Sequence, residues 1–134
     1  MNRIEKEFNM YINITETTLV LMVGPTGSGK SFFANEHFAP TEVLSSDTFR
    51  LMVSNTEEQE ATEDAFNLLL SLTEKRLKRK LLTVIDATNL NVEDREEILM
   101  LGRRNYVPVV ALVMDTTLKT CQDNNRKRNN SRPS

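Results

Sequence analysis

The chain has 134 residues, of which 39% are hydrophobic and 27% charged, and this size and composition are typical of one soluble globular domain. The formal net charge of −2 excludes a polycation, so any contact with nucleic acid must come from a local patch. The single cysteine, Cys121, cannot form an intramolecular disulfide, and the longest apolar run, Leu19–Val23, is too short to span a bilayer. Since the N-terminus has no apolar core of signal-peptide length, we expect a cytoplasmic protein without a membrane partner.

Apolar strands and helical segments alternate along the chain. Strands are predicted at residues 18–23, 41–46, 81–85 and 107–114, and the first and third of them are expected to be buried. Helices or helical turns are predicted at residues 31–38, 47–53, 56–80 and 91–104. A last helix is predicted to start near residue 117. Several of the strands are apolar on both faces, which favours a parallel sheet covered by helices.

The longest predicted helix carries two signals. Thr56 and Gln59 have the spacing of a capping box, which places the start of the helix at this point. The apolar residues that follow form a single stripe with charged residues opposite, namely Ala61, Ala65, Leu68, Leu69 and Leu72. We therefore expect an amphipathic helix with this stripe as its apolar face.

The sequence GPTGSGKS, at residues 24–31, follows the first predicted strand and opens the first predicted helix. Its glycines allow the loop to curl so that successive backbone N–H groups point at phosphate oxygens, and the helix that begins at Lys30 adds its N-terminal dipole. Lys30 would supply a charge to the β- and γ-phosphates, and the Ser31 hydroxyl would ligate Mg²⁺. A chance glycine turn is the alternative, but a strand before the loop and a helix after it are the context that the motif requires.

This motif defines both the expected fold class and the expected cofactors. We predict a single α/β domain over residues 1–134, with a parallel β-sheet of P-loop NTPase type flanked by helices on both faces. The cofactors would be Mg²⁺ and ATP, or another nucleoside triphosphate, as phosphoryl donor. The predicted nucleotide-binding residues of the loop are Gly24, Thr26, Gly27, Ser28, Gly29, Lys30 and Ser31.

Two charged residues follow the second predicted strand. Asp47 and Arg50 are three positions apart, so a helical turn would place both side chains on one face. Because ligands bind outside the carboxyl ends of strands in an open parallel sheet, Asp47 would face the same cleft as Lys30. A carboxylate there can accept the proton of an alcohol, and an arginine can bind a phosphate of the acceptor or spread the charge of the transition state. The alternative is a helix cap, with Ser46 or Asp47 as the capping residue.

The third predicted strand ends at Asp86. An acid in this position of a P-loop protein touches Mg²⁺ directly or through water, so Asp86 and Ser31 are the predicted metal residues. An Asx turn at the end of the strand is the alternative, and Thr88 and Asn89 would either complete that turn or line the cleft.

Four elements occur in a fixed order: GPTGSGKSFFA, TEVLSSDTFR, LLTVIDATNL and a terminal cluster of arginines. This order resembles the 5′-OH polynucleotide kinase module of bacterial polynucleotide kinase–phosphatases, the end-healing enzymes of RNA repair, from about residue 19 to residue 128. The resemblance implies that Lys30 and Ser31 handle phosphates and Mg²⁺. It also implies that Asp47 is the general base for the 5′-hydroxyl and that Arg50 binds a phosphate of the acceptor strand.

The resemblance further implies a lid at about residues 117–134 that carries arginines. In an ungapped reading Asn124 occupies the first of the lid arginine positions, Arg128 matches a later one, and Arg132 replaces another after a shift of one residue. Arg128 would be catalytic, and both arginines would contact the nucleotide. The sequence ends before the remaining lid and nucleobase-binding elements of the family, so we expect a fragment of a larger enzyme or a reduced relative.

Three functions are compatible with these residues. The first is transfer of the γ-phosphate of a nucleoside triphosphate to the 5′-OH end of RNA or DNA, with Asp47, Lys30, Arg50 and Arg128 as catalytic residues. The second is a P-loop kinase for a small molecule such as a nucleoside or sugar. The third is an NTP-binding switch or ATPase without an acceptor, which needs a residue that positions water. Gln59 and Gln122 are expected on helices, so neither is a candidate for that role.

Overall fold

The computed structural model describes residues 17–24, 29–55, 59–87 and 90–114. Its strands are β1 (Leu19–Val23), β2 (Val43–Ser45), β3 (Thr83–Asp86) and β4 (Val109–Val113). Its helices are α1 (Lys30–His37), α2 (Ser46–Ser54), α3 (Thr62–Lys78) and α4 (Val92–Arg104), with short 3₁₀ turns at Pro40–Glu42 and Gln59–Ala61. Predictions that lie outside the described residues concern Thr26, Gly27, Ser28, Thr56, Thr88, Asn89, Cys121, Gln122, Asn124, Arg128 and Arg132.

The four strands form one parallel sheet in the order β2-β3-β1-β4. Asp86 at the end of β3 is in register with Met22 of β1 on one side and with Ser45 of β2 on the other. The carboxyl ends of β1, β2 and β3 are therefore aligned, and the residues that follow them lie along one edge of the sheet. The predicted α/β fold with a parallel sheet is confirmed.

Alternate residues of the central strands supply two separate cores, as the period of a strand requires. The core on the α1 side contains Val20, Met22, Phe33, Ala34, Phe38, Leu82, Val84 and Leu112. The core on the α3 and α4 side contains Leu19, Leu21, Leu44, Leu69, Leu77, Ile85, Ala87, Ile98, Leu101 and Val107. The sheet is thus covered by helices on both faces, in agreement with the prediction.

The long helix differs from its prediction in two ways. It begins at Thr62, after a 3₁₀ turn, and its N-cap residue Ala61 makes no side-chain cap, so Thr56 does not start it. Leu68 and Leu72 are exposed, because the buried row of α3 consists of Ala65, Leu69, Thr73 and Leu77 at a spacing of four. Thr73 is tolerated in this row because its hydroxyl donates to the Leu69 carbonyl at 2.7 Å, which satisfies the buried polar group.

The start of α4 agrees with its prediction. Asn91 caps the helix, with its Oδ1 accepting from the Asp94 backbone N–H at 2.7 Å, while the Asp94 carboxylate accepts from the Asn91 backbone N–H at 3.3 Å. Gly102, near the end of the same helix, allows it to approach β4 closely. A Cβ on Gly102 would lie 2.3 Å from Cγ2 of Val109.

Candidate nucleotide and phosphoryl-transfer site

The candidate site is built where β1 leads into α1. Gly29 adopts a left-handed conformation with φ of 91°, which glycine accepts without steric cost, and α1 begins at the next residue. Lys30 is therefore the first residue of the helix, and its side chain is only 5% exposed. This local geometry directs a lysine into the interior at the edge of the sheet.

The ammonium group of Lys30 has a neutral partner. Its Nζ donates to the Gly24 carbonyl oxygen at 2.9 Å, and Lys30 forms no ion pair with a described carboxylate. A buried cation is costly unless a negative charge compensates it. The hydrogen bond to the Gly24 carbonyl holds the lysine at the start of the loop, where phosphate oxygens would provide the compensating negative charge.

Ser31 and Asp86 are brought together although they are far apart in sequence. The Ser31 hydroxyl donates to Oδ2 of Asp86 at 2.8 Å, and the aspartate is only 7% exposed. These are the two residues for which a magnesium role is predicted. Within the described part of the chain there is no group of three or more His, Cys, Asp or Glu that would hold a metal by itself. The pair fits Mg²⁺, which is usually held by one or two protein oxygens together with phosphates and water.

Asp47 and Arg50 form an ion pair in the first turn of α2. The aspartate side chain is 51% exposed, whereas the arginine side chain is only 13% exposed. The cap of this helix is Ser45, whose Oγ accepts from the Thr48 backbone N–H at 3.4 Å. Capping therefore does not account for Asp47, and neither Ser46 nor Asp47 is the capping residue.

Arg50 also carries an unsatisfied group. Its Nε is buried and has no hydrogen-bond partner in the described part of the molecule. The residue lines a cavity of about 420 Å³ between α2, the start of α3 and the start of α4. The lining consists of Ser46, Arg50, Glu60, Thr62, Glu63, Ala65, Phe66, Leu90, Asn91 and Asp94. An unsatisfied buried donor is unfavourable, and Arg50 is thus the lining residue with a hydrogen-bonding group still unpaired among the described residues.

The predicted residues thus form two groups along the edge of the sheet. Lys30, Ser31 and Asp86 lie at the ends of β1 and β3, and Asp47 and Arg50 follow β2. Most residues of the cavity lining were not expected, because they come from two segments, around residues 60–66 and 90–94, that meet only in the fold. His37 packs against Phe33, with ring centroids 4.4 Å apart.

The fold is that of an α/β protein of the P-loop kinase-like class. The sequence family described as "AAA domain" matches residues 19–134, so the chain belongs to that family. No curated protein sequence matches the chain significantly.

Solved structures are similar over most of the chain. One is the structure of a Pnkp1/Rnl/Hen1 complex, with 26% identity and a TM-score of 0.65 over 79% of this chain and 38% of that chain. Another is the structure of the Pnkp1/Rnl/Hen1 RNA repair complex, with 26% identity and a TM-score of 0.68 over 83% of this chain and 37% of that one.

These similarities agree with the resemblance to the kinase module of polynucleotide kinase–phosphatases, which is thereby confirmed. The chain spans less than two fifths of the length of the chains that it matches in these complexes. Across residues 17–24, 29–55, 59–87 and 90–114, no helix is both long and apolar enough to cross a membrane.

Proposed function

We propose that this protein transfers the γ-phosphate of ATP, or another nucleoside triphosphate, to the 5′-OH end of RNA or DNA. The observation that carries the proposal is the Asp47–Arg50 pair, which follows β2 at the same edge of the sheet as Lys30, Ser31 and Asp86. An acid can accept the proton of an alcohol acceptor and an arginine can bind a phosphate of that acceptor, two tasks that nucleotide binding alone does not require. The similarity to structures of an RNA repair complex supports a nucleic-acid end as acceptor.

The donor would be held by Lys30 together with the loop residues Thr26, Gly27 and Ser28, as the motif predicts. Ser31 and Asp86 would hold Mg²⁺, which, when bound, neutralises charge that develops on the phosphates. The hydrogen bond to Asp86 uses the proton of the Ser31 hydroxyl, so the lone pairs of the Ser31 oxygen would remain available to the metal.

The acceptor would react at Asp47. Its carboxylate accepts the proton of the 5′-hydroxyl while the hydroxyl oxygen forms a bond to the γ-phosphorus. The bond between the γ-phosphorus and the β–γ bridging oxygen breaks, and the nucleoside diphosphate leaves with the electron pair. Arg50 would bind a phosphate of the acceptor strand through its buried guanidinium and hold the hydroxyl in line. We propose that Arg128 and Arg132 close over the nucleotide as lid residues.

One observation favours a nucleoside or sugar kinase as the second candidate. The cavity beside Arg50 has the volume of a site for one small molecule, and acidic side chains contribute to its lining. A free nucleoside would use Asp47 as the same general base but would have no strand phosphate for Arg50. The two candidates therefore differ in the substrate and not in the chemistry.

The test incubates the protein with γ-labelled ATP, Mg²⁺ and a 5′-OH oligonucleotide, in RNA and in DNA form. We expect label on the 5′ end of the strand, and none on a matched oligonucleotide whose 5′ end is already phosphorylated. Labelling of free nucleosides or sugars without labelling of any strand would select the second candidate. Release of labelled phosphate alone, with every acceptor unlabelled, would select a switch or ATPase.

A further inference from the structure

The cavity beside Arg50 has a floor and a rim of different chemistry. Its volume of about 420 Å³ lies at the small end of the range of about 300–1,000 Å³ for ligand sites, which suits one nucleoside better than several nucleotides. Ala65 is buried on the floor, and Phe66 and Leu90 are half-buried beside it. An aromatic ring and an aliphatic side chain form a surface on which a flat base can stack.

The rim is acidic. Glu60 and Glu63 are exposed carboxylates of the lining, and neither has a hydrogen bond or ion pair to another described residue. The third acid, Asp94, is already engaged by the Asn91 backbone N–H. Ionised carboxylates only accept hydrogen bonds, so this rim is matched to a ligand edge that presents N–H donors.

The same charges are badly matched to a phosphodiester backbone. Like charges at close range repel, so the acidic rim disfavours phosphates beyond the one that Arg50 binds. A strand would fit the whole lining if its first phosphate bound Arg50 and its 5′-terminal base entered the cavity, where it would contact the apolar floor and the acidic rim.

We infer that this cavity holds the 5′-terminal nucleoside of the acceptor and that Glu60 and Glu63 select bases that carry an amino group. Adenine, cytosine and guanine each present an amino group, and carboxylates accept from such donors, as they do from N4 of cytosine. Uracil presents a single N–H between two carbonyl oxygens, which the carboxylates repel. The inference rests on the proposed function, since it assigns the acceptor subsite of that reaction.

The experiment compares kcat/KM for four RNA oligonucleotides that differ only in the 5′-terminal nucleotide. We expect the strand that begins with uridine to be the poorest acceptor, with a kcat/KM about fivefold below that of the strand that begins with cytidine. This factor is at the low end of the discrimination that hydrogen bonds to a base edge provide, because the rim is exposed to solvent. The E60Q/E63Q double variant should lose most of this preference, since the amides no longer select donors over acceptors. E96Q is the matched control, because Glu96 is exposed on α4 and does not line the cavity.

Equal kcat/KM for all four strands in the unmodified protein would overturn the inference and leave the proposed function intact. A preference that survives unchanged in E60Q/E63Q would also overturn it. If no strand is phosphorylated at all, the proposed function fails, and calorimetric titration with free cytidine and uridine then decides the cavity assignment. Tighter binding of cytidine that is lost in E60Q/E63Q would support the assignment, and equal binding or no binding would reject it.

Discussion

The nucleotide half and the acceptor half of the sheet edge hold their charged groups in different ways. Lys30 and Asp86, on the nucleotide side, are almost completely buried, and each has a hydrogen-bond partner. On the acceptor side, Asp47 is half-exposed, and Arg50, which lines a cavity, has a buried Nε without a hydrogen-bond partner in the described part of the molecule. Under the proposed function, a triphosphate would present the same groups in every turnover, so its half can be preformed, whereas the acceptor half would have to admit and release a bulky strand end.

This difference predicts that substitutions in the two halves affect separate quantities. Changes in the nucleotide half should weaken the use of ATP and Mg²⁺ with every acceptor. Changes in the acceptor half should weaken the transfer to a strand while ATP binding is preserved. The following variants are arranged from the largest expected effect to the smallest.

Lys30→Ala should abolish strand phosphorylation in a protein that remains folded. The buried ammonium has no carboxylate partner among the described residues, so its removal leaves no uncompensated acid behind. Electrostatic groups of this kind typically contribute about 10²–10³-fold to the rate each, before any loss of nucleotide affinity. Labelled transfer and circular dichroism would be measured beside Lys75→Ala, an exposed control on α3. Full activity of folded Lys30→Ala would contradict the assignment of the nucleotide half.

Ser31→Ala should change the metal dependence. The Ser31 hydroxyl donates a hydrogen bond to Asp86, so the substitution removes one proposed Mg²⁺ ligand and leaves the other, Asp86, without this partner. We expect the Mg²⁺ concentration for half-maximal rate to rise by about tenfold to a hundredfold, the range seen when partners of a metal site are removed. The matched control is Ser71→Ala on α3. An unchanged Mg²⁺ titration curve in Ser31→Ala would exclude the ligand role.

Arg50→Lys should raise the KM for the strand by about tenfold and leave ATP binding unchanged. Lysine keeps the charge but loses the planar set of donors, including the unpaired Nε, that suits a phosphate. A hydrogen bond to a charged group contributes about 1.5–3 kcal/mol, which corresponds to roughly tenfold or more. Arg103→Lys, on the exposed side of α4, is the control. Loss of ATP affinity in Arg50→Lys would show that the two halves are not separate.

Gly102→Ala should lower the free energy of unfolding and leave both ATP binding and transfer to the strand unchanged. The added Cβ would lie 2.3 Å from Val109 Cγ2 and 3.1 Å from the Val107 carbonyl oxygen. Overpacking costs about 1–3 kcal/mol, and the gain in helix propensity offsets about 1 kcal/mol, so the net destabilisation should be about 1 kcal/mol. Urea unfolding would also be measured in a Val109→Ala background, where the clash with Cγ2 is removed and only the closer approach to the Val107 carbonyl remains, so Gly102→Ala should cost less there. Equal effects in both backgrounds would refute the packing explanation.

The nucleotide half could be predicted from the sequence because each of its residues lies in a recognisable local pattern. Lys30 and Ser31 lie in one eight-residue motif, and Asp86 ends an apolar strand that the pattern identifies. The order of strands and helices could also be predicted, since the strands are apolar on both faces. These signals depend on local spacing and need no knowledge of tertiary packing.

The acceptor half could be predicted only in part. Asp47 and Arg50 were found from their spacing, but the cavity combines Glu60 and Phe66 with Leu90, which only the packing of α3 beside α4 brings together. The predicted apolar face of α3 was wrong at Leu68 and Leu72. The buried row includes Thr73, whose hydroxyl donates a hydrogen bond to a carbonyl of its own helix, at a place where an apolar residue was expected. The lid prediction for Arg128 and Arg132 stays a prediction.

The central claim is that Asp47 acts on the acceptor and not on the nucleotide. Asp47→Asn keeps the shape of the side chain and an oxygen for Arg50, but it removes the basicity. General-base catalysis contributes about 10²–10⁴-fold, so strand phosphorylation should fall by about that factor.

The most direct test is single-turnover phosphorylation of a 5′-OH oligonucleotide, measured beside equilibrium ATP binding for Asp47→Asn and for the exposed control Asp64→Asn. The account predicts that only Asp47→Asn loses transfer and that both variants bind ATP like the unmodified protein. Transfer that survives in Asp47→Asn, or a parallel loss of ATP binding, would contradict it.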